Sequence, residues 1–278
     1  MRVFAPAKVN LALHVTGRRD DGFHLLDSLV VFAGIGDWLD VVPAPELRLN
    51  VTGPRADGVP VDRSNLIWRA VESFEPPESA SITLEKHLPM AGGIGGGSAD
   101  AAAAIRAVCA LRDRDLPDRD RLLALGADLP VCVAGSPARM QGIGETLSPL
   151  PPLPPLWIVL VNPGVEVPTA AVFSALQSVQ NAPLAAPDWS DAASLFDYLR
   201  TTRNDLQQVA TALAPQVADV LATLADDTAC HFSRMSGSGG TCFGLYTSPD
   251  HANAAAERMS GMHSRWWAAA GPVLNAAP

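Results

Sequence analysis

The residues best suited to chemistry form a glycine-rich run, in which five of the six residues 92–97 are glycine. Glycine lets the backbone approach a ligand closely and adopt positive φ, so several N–H groups can converge on one anion. Ser98 follows, and the alanine-rich composition after it predicts a helix over residues 99–111, whose N-terminal N–H groups and dipole favour negative charge. The pattern predicts a phosphate-binding loop, with a flexible surface loop as the alternative.

Other nucleotide and hydrolase motifs do not fit this run. A Walker A loop needs lysine directly after glycine, and neither Lys8 nor Lys86 is placed so. A Rossmann fingerprint would need glycine where Ser98 stands, and a G-x-S-x-G elbow would need it where Asp100 stands. The sequence also has no H-E-x-x-H zinc motif. These four classes of site are therefore excluded here.

Three charged residues are further candidates. Of 20 basic residues 18 are arginine, and only Lys8 and Lys86 are lysine. A compact ammonium does not replace a planar guanidinium, so lysine at these two positions indicates a site. For each lysine the alternative is a solvated strand residue. Asp128 stands directly before Leu129-Pro130, and its alternative is a helix N-cap, because proline is favoured in the first helical turn.

Several motifs carry a family resemblance. The run Pro89-Met-Ala-Gly-Gly-Ile-Gly-Gly-Gly-Ser-Ala99 resembles the ATP-binding loop of the GHMP kinase superfamily. Other segments resemble the 4-diphosphocytidyl-2-C-methyl-D-erythritol kinase branch of that superfamily, and together the motifs run in family order from residue 5 to residue 246. They are Pro6-Ala-Lys-Val-Asn10, Gly17-Arg-Arg-Asp-Asp-Gly-Phe-His24, Ser64-Asn-Leu66, Gly126-Ala-Asp-Leu-Pro-Val131, Asn162-Pro-Gly164 with Pro168-Thr169, and Ser236-Gly-Ser-Gly-Gly240.

The resemblance implies a two-lobed α+β fold, with a cleft that binds ATP and a cytidine diphosphate sugar-alcohol. It implies ATP-dependent phosphorylation of the 2-hydroxyl of the methylerythritol unit, with Mg²⁺ present. Asp128 would orient the hydroxyl and accept its proton, and Lys8 would stabilise the developing charge. The alternatives are a GHMP kinase of the mevalonate or homoserine type and a catalytically inactive nucleotide-binding relative.

The resemblance also assigns binding residues. Those implied for ATP are Asn65, Lys86, Pro89, Met90, Ala91, Gly92, Gly93, Ile94, Gly95, Gly96, Gly97, Ser98, Ala99, Gly237, Ser238 and Gly239. Those implied for the alcohol substrate are Asn10, Phe23, His24, Asp128, Thr169 and Phe173, with Phe23 and Phe173 stacked on the base. The alternatives are core packing for the two phenylalanines and a tight hairpin turn for residues 236–240.

Three details qualify this assignment. The family commonly has tyrosine where Phe23 stands. Phe23 can still stack on the base, but it cannot form the hydrogen bond that a tyrosine hydroxyl could make. Glycine is frequent at position 91, and we therefore expect Ala91 to avoid positive φ. Ser98 is expected to bind Mg²⁺ or a phosphate oxygen and also to cap the helix that begins at Ala99.

Composition restricts the function further. A formal net charge of -9, with 29 acidic against 20 basic residues, argues against a nucleic-acid surface. The four cysteines include no C-x-x-C pair and are expected to be reduced. No stretch approaches the roughly 18 apolar residues of a membrane span, and the N-terminal residues contain no apolar segment typical of a secretory signal. We expect a cytoplasmic enzyme that acts on small molecules as a monomer or weak homodimer.

The elements that position these residues divide at a proline-rich segment. Five of residues 149–155 are proline, which prevents a helix and predicts a stiff connection between two packed lobes, residues 1–148 and 149–278. Strands are expected at the start of the first lobe, including residues 8–15 and 80–85. In the second lobe we expect strands near residues 156–161 and 241–246, and helices that include residues 169–179 and 205–225.

Overall fold

The structure is a computed structural model that describes residues 1–276. Within this range the chain forms ten strands and nine helices. The first half contains β1 (Arg2–Arg18), β2 (His24–Pro43), β3 (Arg48–Thr52), α1 (Leu66–Glu72), β4 (Ala80–Glu85), α2 (Gly96–Arg112), α3 (Arg119–Leu125), α4 (Leu129–Ala134), β5 (Ala138–Gly142) and β6 (Thr146–Pro149). The second half contains β7 (Trp157–Asn162), α5 (Thr169–Ser174), α6 (Ala192–Arg200), α7 (Gln207–Leu213), α8 (Gln216–Ala225), β8 (Phe232–Met235), β9 (Cys242–Tyr246), α9 (Pro249–Met262) and β10 (Trp267–Leu274).

Strand β2 is the centre of the sheet. It pairs antiparallel with β1 along nearly its whole length and also pairs with β4, β5 and β10. The sheet continues through β10 to β7, β9 and β8. Because β10 pairs with strands from both halves, one sheet runs across the predicted boundary at residue 148. The division into two domains stays a prediction.

Helix α2 is held against the sheet by its small side chains. Ala101, Ala102, Ala103 and Ala104 are fully buried, in a cluster that includes residues of β2, β4 and α1. Alanine has little side chain, so the helix can approach the strands closely. This packing fixes the direction of α2 and the position of the loop that precedes it.

The proline-rich segment is packed, whereas its role as a connection between two lobes stays a prediction. Leu153 is 7% exposed and belongs to a core cluster with Trp189. The indole Nε1–H of Trp189 donates to the carbonyl oxygen of Pro152 at 3.1 Å. No helix within residues 1–276 is both long and apolar enough to cross a membrane.

Several predicted bounds are wrong. Helix α2 begins at Gly96 instead of residue 99, and α5 ends at Ser174 instead of residue 179. The single helix expected over residues 205–225 is two helices, α7 and α8, because Pro215 lacks the N–H that a continuous helix would need. Strand β10 was not predicted, since its sequence is rich in alanine and includes Pro272.

Candidate active site

A cleft of about 580 Å³ contains most of the predicted site residues. This volume is within the range of small-molecule sites. Its wall combines the glycine-rich loop and the start of α2 with Lys8, Asn10 and Asp128 from the first half. The second half contributes Thr169, Phe173, Gly237 and Ser238.

Lys8 lies on β1 between two irregularities in its pairing with β2. The register shifts between Pro6 and Lys8 and again after Asn10, leaving a short regular stretch. Lys8 and Asn10 therefore point to the same face of the strand. The ammonium Nζ of Lys8 donates to Oδ1 of Asn10 at 2.9 Å and lies 2.8 Å from Oδ2 of Asp128. Only 3% of Lys8 is exposed, so the alternative of a solvated strand residue is wrong.

Asp128 stands at the N-terminus of α4 but does not cap it. Its side chain makes no cap hydrogen bond, and its carboxylate instead pairs with Lys8. The alternative in which Asp128 serves only as a cap is therefore wrong. With 30% of its side chain exposed, the carboxylate remains accessible from the cleft.

The glycines of the loop are required by packing as well as by any ligand. A Cβ atom on Gly93, whose φ is +73°, would lie 2.5 Å from the carbonyl oxygen of Ser236. On Gly92 it would lie 2.8 Å from Oγ1 of Thr241, and on Gly95 it would lie 2.9 Å from Cε of Lys8. The loop is thus pressed between Lys8 and the loop after β8.

Ala91 contradicts the expectation drawn from its side chain. Its φ is 51°, in the left-handed region, although we expected alanine to avoid positive φ. A non-glycine residue there costs about 1–2 kcal/mol. The next residues explain why this conformation is maintained: Gly92 accepts a hydrogen bond from the Thr241 N–H at 2.9 Å, and Gly93 is enclosed by the loop after β8.

The expected cap at Ser98 is also wrong. The N-cap of α2 is Gly95, with φ of 61°, and it makes no side-chain hydrogen bond to the helix. Ser98 is the third residue of the helix and lines the cleft. The first N–H groups of α2 thus have no side-chain cap, in contrast to α1, where Asn65 accepts from the Ile67 N–H.

The loop of residues 236–240 connects β8 and β9 and also walls the cleft. It is therefore the hairpin turn that was the alternative for residues 236–240, and it also lies beside the glycine-rich loop. The hydroxyl of Ser236 donates to the Gly93 carbonyl at 2.9 Å and accepts from the Asn10 backbone N–H at 3.0 Å. Sequence reasoning missed this role of Ser236. On the solvent side, the hydroxyls of Ser238 and Thr169 lie 2.8 Å apart.

Lys86 is buried in an ion cluster under the start of α2. Its Nζ lies 2.5 Å from Oδ2 of Asp37 and 2.7 Å from Oδ2 of Asp100. Burial alone lowers the pKa of Lys86, but the two carboxylates outweigh it and raise that pKa. Burial also raises the pKa of Asp100 to about 8, against the opposing effect of Lys86. Lys86 borders the cleft as expected, but its ammonium already binds two carboxylates and it is not a solvated strand end.

Sequence reasoning missed both carboxylate partners. Asp37 also accepts from the backbone N–H groups of His87 and Leu88, so it ties the end of β4 to β2. The sequence does contain a signal for each partner of Lys86, because Asp37 interrupts an apolar strand and Asp100 faces inward from an alanine-rich helix.

Among the remaining ATP candidates, Ile94, Ala99 and Gly239 are buried and do not line the cleft, whereas Asn65 and Met90 do. Asn65 caps α1, and its Nδ2 donates to the Pro60 carbonyl at 2.7 Å. Met90 is 50% exposed and lines the cleft, together with Pro60 and Leu66.

His24, Phe23 and Phe173 are the candidates for binding the base, and His24 does not line the cleft but packs on Phe173. The rings of His24 and Phe173 are stacked, with centroids 4.8 Å apart and an interplanar angle of 28°. Burial first and the Arg18 guanidinium second lower the pKa of His24. Phe173 lines the cleft, whereas Phe23 is 59% exposed and is not among the residues that do. Phe23 is not a core residue, whereas Phe173 is partly buried and packs against the hydrophobic cluster that includes Val172 and Leu206, so the core-packing alternative holds in part for Phe173.

Comparison with known proteins identifies the family. The model described as "GHMP kinases N terminal domain" matches residues 65–141, and "GHMP kinases C terminal" matches residues 181–264. The chain is 56% identical over 275 residues to the 4-diphosphocytidyl-2-C-methyl-D-erythritol kinase of Jannaschia sp. (strain CCS1), covering 99% of this chain and 98% of that one. The chain belongs to the 4-diphosphocytidyl-2-C-methyl-D-erythritol kinase family of GHMP kinases. The resemblance stated from its motifs is confirmed.

Solved structures agree with this GHMP kinase assignment. A crystal structure of 4-(cytidine 5'-diphospho)-2C-methyl-D-erythritol kinase superposes with a TM-score of 0.78 and 36% identity, covering 98% of this chain and 99% of that one. Homoserine kinase from Cytophaga hutchinsonii ATCC 33406 superposes with a TM-score of 0.68 at 18% identity, covering 100% of this chain and 95% of that one. At this identity the similarity shows a common fold and nothing about the substrate. The predicted α+β GHMP kinase fold and the assignment as a small-molecule kinase are confirmed.

Proposed function

We propose that this chain transfers the γ-phosphoryl group of ATP to the 2-hydroxyl of 4-diphosphocytidyl-2-C-methyl-D-erythritol, giving ADP and the 2-phosphate. The observation that carries the proposal is the Lys8–Asp128 pair, which lies in the cleft beside the start of α2. A polyphosphate bound by the glycine-rich loop and a hydroxyl bound by Asp128 would meet there. Relatives that are 50–56% identical carry the name of a kinase for this substrate.

At the ATP end, backbone N–H groups would hold the phosphates. The first turn of α2 has no side-chain cap, and a Cβ atom on Gly97 would meet nothing within 4 Å, so a phosphate has room to approach. The helix dipole adds positive potential at this point. We assign to ATP residues 89–99 and 237–239, together with Asn65. Lys86 would act indirectly, by holding Asp100 and with it the start of α2.

The charges of the cleft support a role for Mg²⁺. Among the cleft-lining residues that the structure describes, the basic side chains are Lys8 and Lys86, and both are paired with carboxylates. Residues 1–276 contain no cluster of three or more His, Cys, Asp or Glu side chains that could hold a metal. Mg²⁺ suits such a site, because it keeps several waters and binds mainly through substrate phosphates. We propose the Ser98 hydroxyl as its protein ligand, and the ion would offset charge on the transferred group.

At the centre of the cleft, Asp128 and Lys8 would have different roles in phosphoryl transfer. The Asp128 carboxylate is acceptor-only, so it can orient the substrate hydroxyl and receive its proton as the bond to phosphorus forms. The Lys8 ammonium has three N–H bonds, of which Asn10 and Asp128 take two. The third is available to an oxygen of the transferred phosphoryl group. In a loose transition state, this positioning and charge stabilisation supply most of the catalysis.

At the substrate end, a cytosine needs a flat apolar surface and a hydrogen-bonding edge. We propose that Phe173 supplies the surface and His24 the edge, in its neutral form because its pKa is lowered. Asn10 and Thr169 would contact the remaining polar groups. Phe23 would cover the base only from the solvent side, because it is largely exposed.

One assay tests this function against its alternatives. Purified protein with Mg-ATP is offered the cytidylylated methylerythritol, mevalonate and homoserine in parallel, and ADP release is measured. Turnover on the first alone is the expected result. Turnover on mevalonate or homoserine instead would favour another GHMP kinase, and no ADP release on any alcohol would favour an inactive relative.

The cellular compartment and the oligomeric state of the enzyme are also proposals. The four cysteines are free, and three of them are buried, which is typical of proteins in a reducing compartment. We therefore propose that the enzyme acts in the cytoplasm on small molecules, as a monomer or weak homodimer.

A further inference from the structure

Ser28 lies next to β1, the strand that carries Lys8 and Asn10, and the proposed reaction gives it no direct role. It is on β2, is fully buried, and contacts the side chain of Asn10. Asn10 in turn contacts Lys8. The three side chains form a hydrogen-bonded chain, called here the Ser28 relay, that ends on the Ala12 carbonyl.

The directions of the hydrogen bonds in the Ser28 relay are fixed at both ends. The Ser28 hydroxyl lies 2.6 Å from the Ala12 carbonyl oxygen, which can only accept, so its one proton points there. Towards Asn10 the hydroxyl can then only accept, and the Asn10 atom 2.8 Å away must be the Nδ2 donor. At the other end Lys8 can only donate, so the Asn10 atom facing it must be Oδ1.

The Ser28 relay therefore selects one of the two orientations of the Asn10 amide. If the amide were reversed, its NH₂ group would face the Lys8 ammonium, and two donors cannot form a hydrogen bond. Its oxygen would face the Ser28 hydroxyl, whose proton is already donated to the Ala12 carbonyl. Lys8 is 3% exposed and Asn10 is 1% exposed, so water has little access to compensate. The fixed oxygen holds one N–H of Lys8, while Asp128 holds a second.

We propose that Ser28 is a positioning residue for phosphoryl transfer, acting through Asn10 to hold the Lys8 ammonium against Asp128. This inference rests on the proposed function and adds to it a residue that does not line the cleft. A displacement of about 1 Å in a catalytic group can cost on the order of 100-fold in rate. Ser28 would thus affect the rate of the chemical step more than the binding of ATP.

The kinetic test compares Ser28→Ala with Ser28→Thr, which keeps the hydroxyl. We expect Ser28→Ala to lower kcat by on the order of 10- to 100-fold, with KM for ATP close to wild type and activity recovered in Ser28→Thr. Ser73→Ala is the matched control, because the Ser73 hydroxyl also donates to a backbone carbonyl but lies directly after α1, outside the cleft. Wild-type kcat in a folded Ser28→Ala would overturn the proposal. If Ser28→Ala does not fold, Ser28→Cys replaces it, because a thiol is a weak acceptor.

A double-mutant cycle asks whether Ser28 acts through Asn10. In an Asn10→Ala background the relay is already broken, so adding Ser28→Ala should lower kcat no further. If the second substitution lowers kcat by the same factor in both backgrounds, Ser28 acts by another route and the proposal is wrong.

NMR of the lysine side chains tests the role of Ser28 independently of the proposed function. Because Lys8 and Lys86 are the only lysines, ¹⁵N-lysine labelling gives two side-chain ammonium signals. We expect Ser28→Ala to speed the exchange of the Lys8 ammonium protons with water and to leave Lys86 unchanged, since Lys86 is held by Asp37 and Asp100. An unchanged Lys8 signal would overturn the proposal even if the enzyme is active. A changed signal would support it even if wild type fails on the expected substrate.

Discussion

The Nζ atom of Lys8 lies 2.8 Å from Oδ2 of Asp128, although the two residues are 120 positions apart in the chain. Lys8 is buried on β1, whereas Asp128 is partly exposed at the start of α4. The pair therefore presents its carboxylate to the cleft and keeps its ammonium behind it. This order suits a hydroxyl that enters from the cleft and a charge that must be stabilised beside it.

The first prediction concerns the Asp128 carboxylate. Asp128→Asn keeps the size of the side chain but removes the charge and the proton acceptor. We expect kcat to fall by about 10²–10⁴-fold, the range for a positioned acid–base group, with a normal circular dichroism spectrum. Steady-state ADP release measures the change, and Asp197→Asn, on the exposed face of α6, is the matched control. Near wild-type kcat would reduce Asp128 to a structural residue.

The second prediction concerns the aromatic pair. His24→Ala removes one ring of the His24–Phe173 stack at the substrate end. We expect KM for the cytidylylated alcohol to rise on the order of 10-fold, since an aromatic stack contributes about 0.5–1.5 kcal/mol, while KM for ATP stays the same. Phe23→Ala should have a smaller effect because Phe23 is 59% exposed. An unchanged KM in His24→Ala would refute the recognition of the base by His24.

The third prediction compares two substitutions in one loop. Ala91→Gly relieves a positive φ of 51°, and we expect it to raise the free energy of unfolding by about 1 kcal/mol. Gly93→Ala should have the opposite effect and also weaken ATP binding, because its Cβ would lie 2.5 Å from the Ser236 carbonyl oxygen. Urea denaturation and KM for ATP measure both changes. Equal stability of the two variants would contradict the described loop conformation.

The fourth prediction concerns Asp100 and pH. Burial raises its pKa to about 8 in the folded chain, whereas an unfolded carboxyl titrates near its ordinary value of 3.8. Between these values the folded state binds more protons, so the free energy of unfolding falls as pH rises from about 4 to about 8. The raised pKa of Lys86 acts only above its ordinary value of 10.5, outside this window.

The substitution Asp100→Asn tests that pH dependence. We expect its free energy of unfolding to vary less with pH between 5 and 8 than that of wild type, because asparagine does not titrate. Chemical denaturation at several pH values measures the two slopes, with Asp197→Asn at an exposed site as the control. Identical slopes in Asp100→Asn and wild type would show that Asp100 is ionised throughout.

Local sequence identified residues that meet in the cleft, but not the distant residues that hold them in place. The glycine run, Lys8 and Asp128 could be found because each motif is continuous and its residue types are tied to phosphoryl transfer. The contacts of Lys86 could not, because Asp37 lies 49 positions away and meets it only through the pairing of β2 with β4. Periodicity identifies which face of a strand is buried, but it does not say which distant side chain shares that face.

The same limit applies to backbone conformation. The positive φ of Ala91 is imposed by contacts of its neighbours with Thr241 and with the loop after β8, which are remote in sequence. The pairing of β10 with both β2 and β7 also depends on tertiary structure, which overrides the weak strand propensity of an alanine-rich segment.

The position of the new phosphate tests the central claim most directly. The 2-hydroxyl of the proposed substrate is tertiary, because C2 also carries the methyl group, so the 2-phosphate has no hydrogen on the carbon that bears it. A proton-coupled ³¹P NMR spectrum of the product of wild-type protein with Mg-ATP should therefore contain a monoester singlet, and with Asp128→Asn this signal should grow about 10²–10⁴-fold more slowly. A triplet, from a primary hydroxyl, a doublet, from a secondary one, or no monoester signal with the wild-type protein would contradict the proposed reaction.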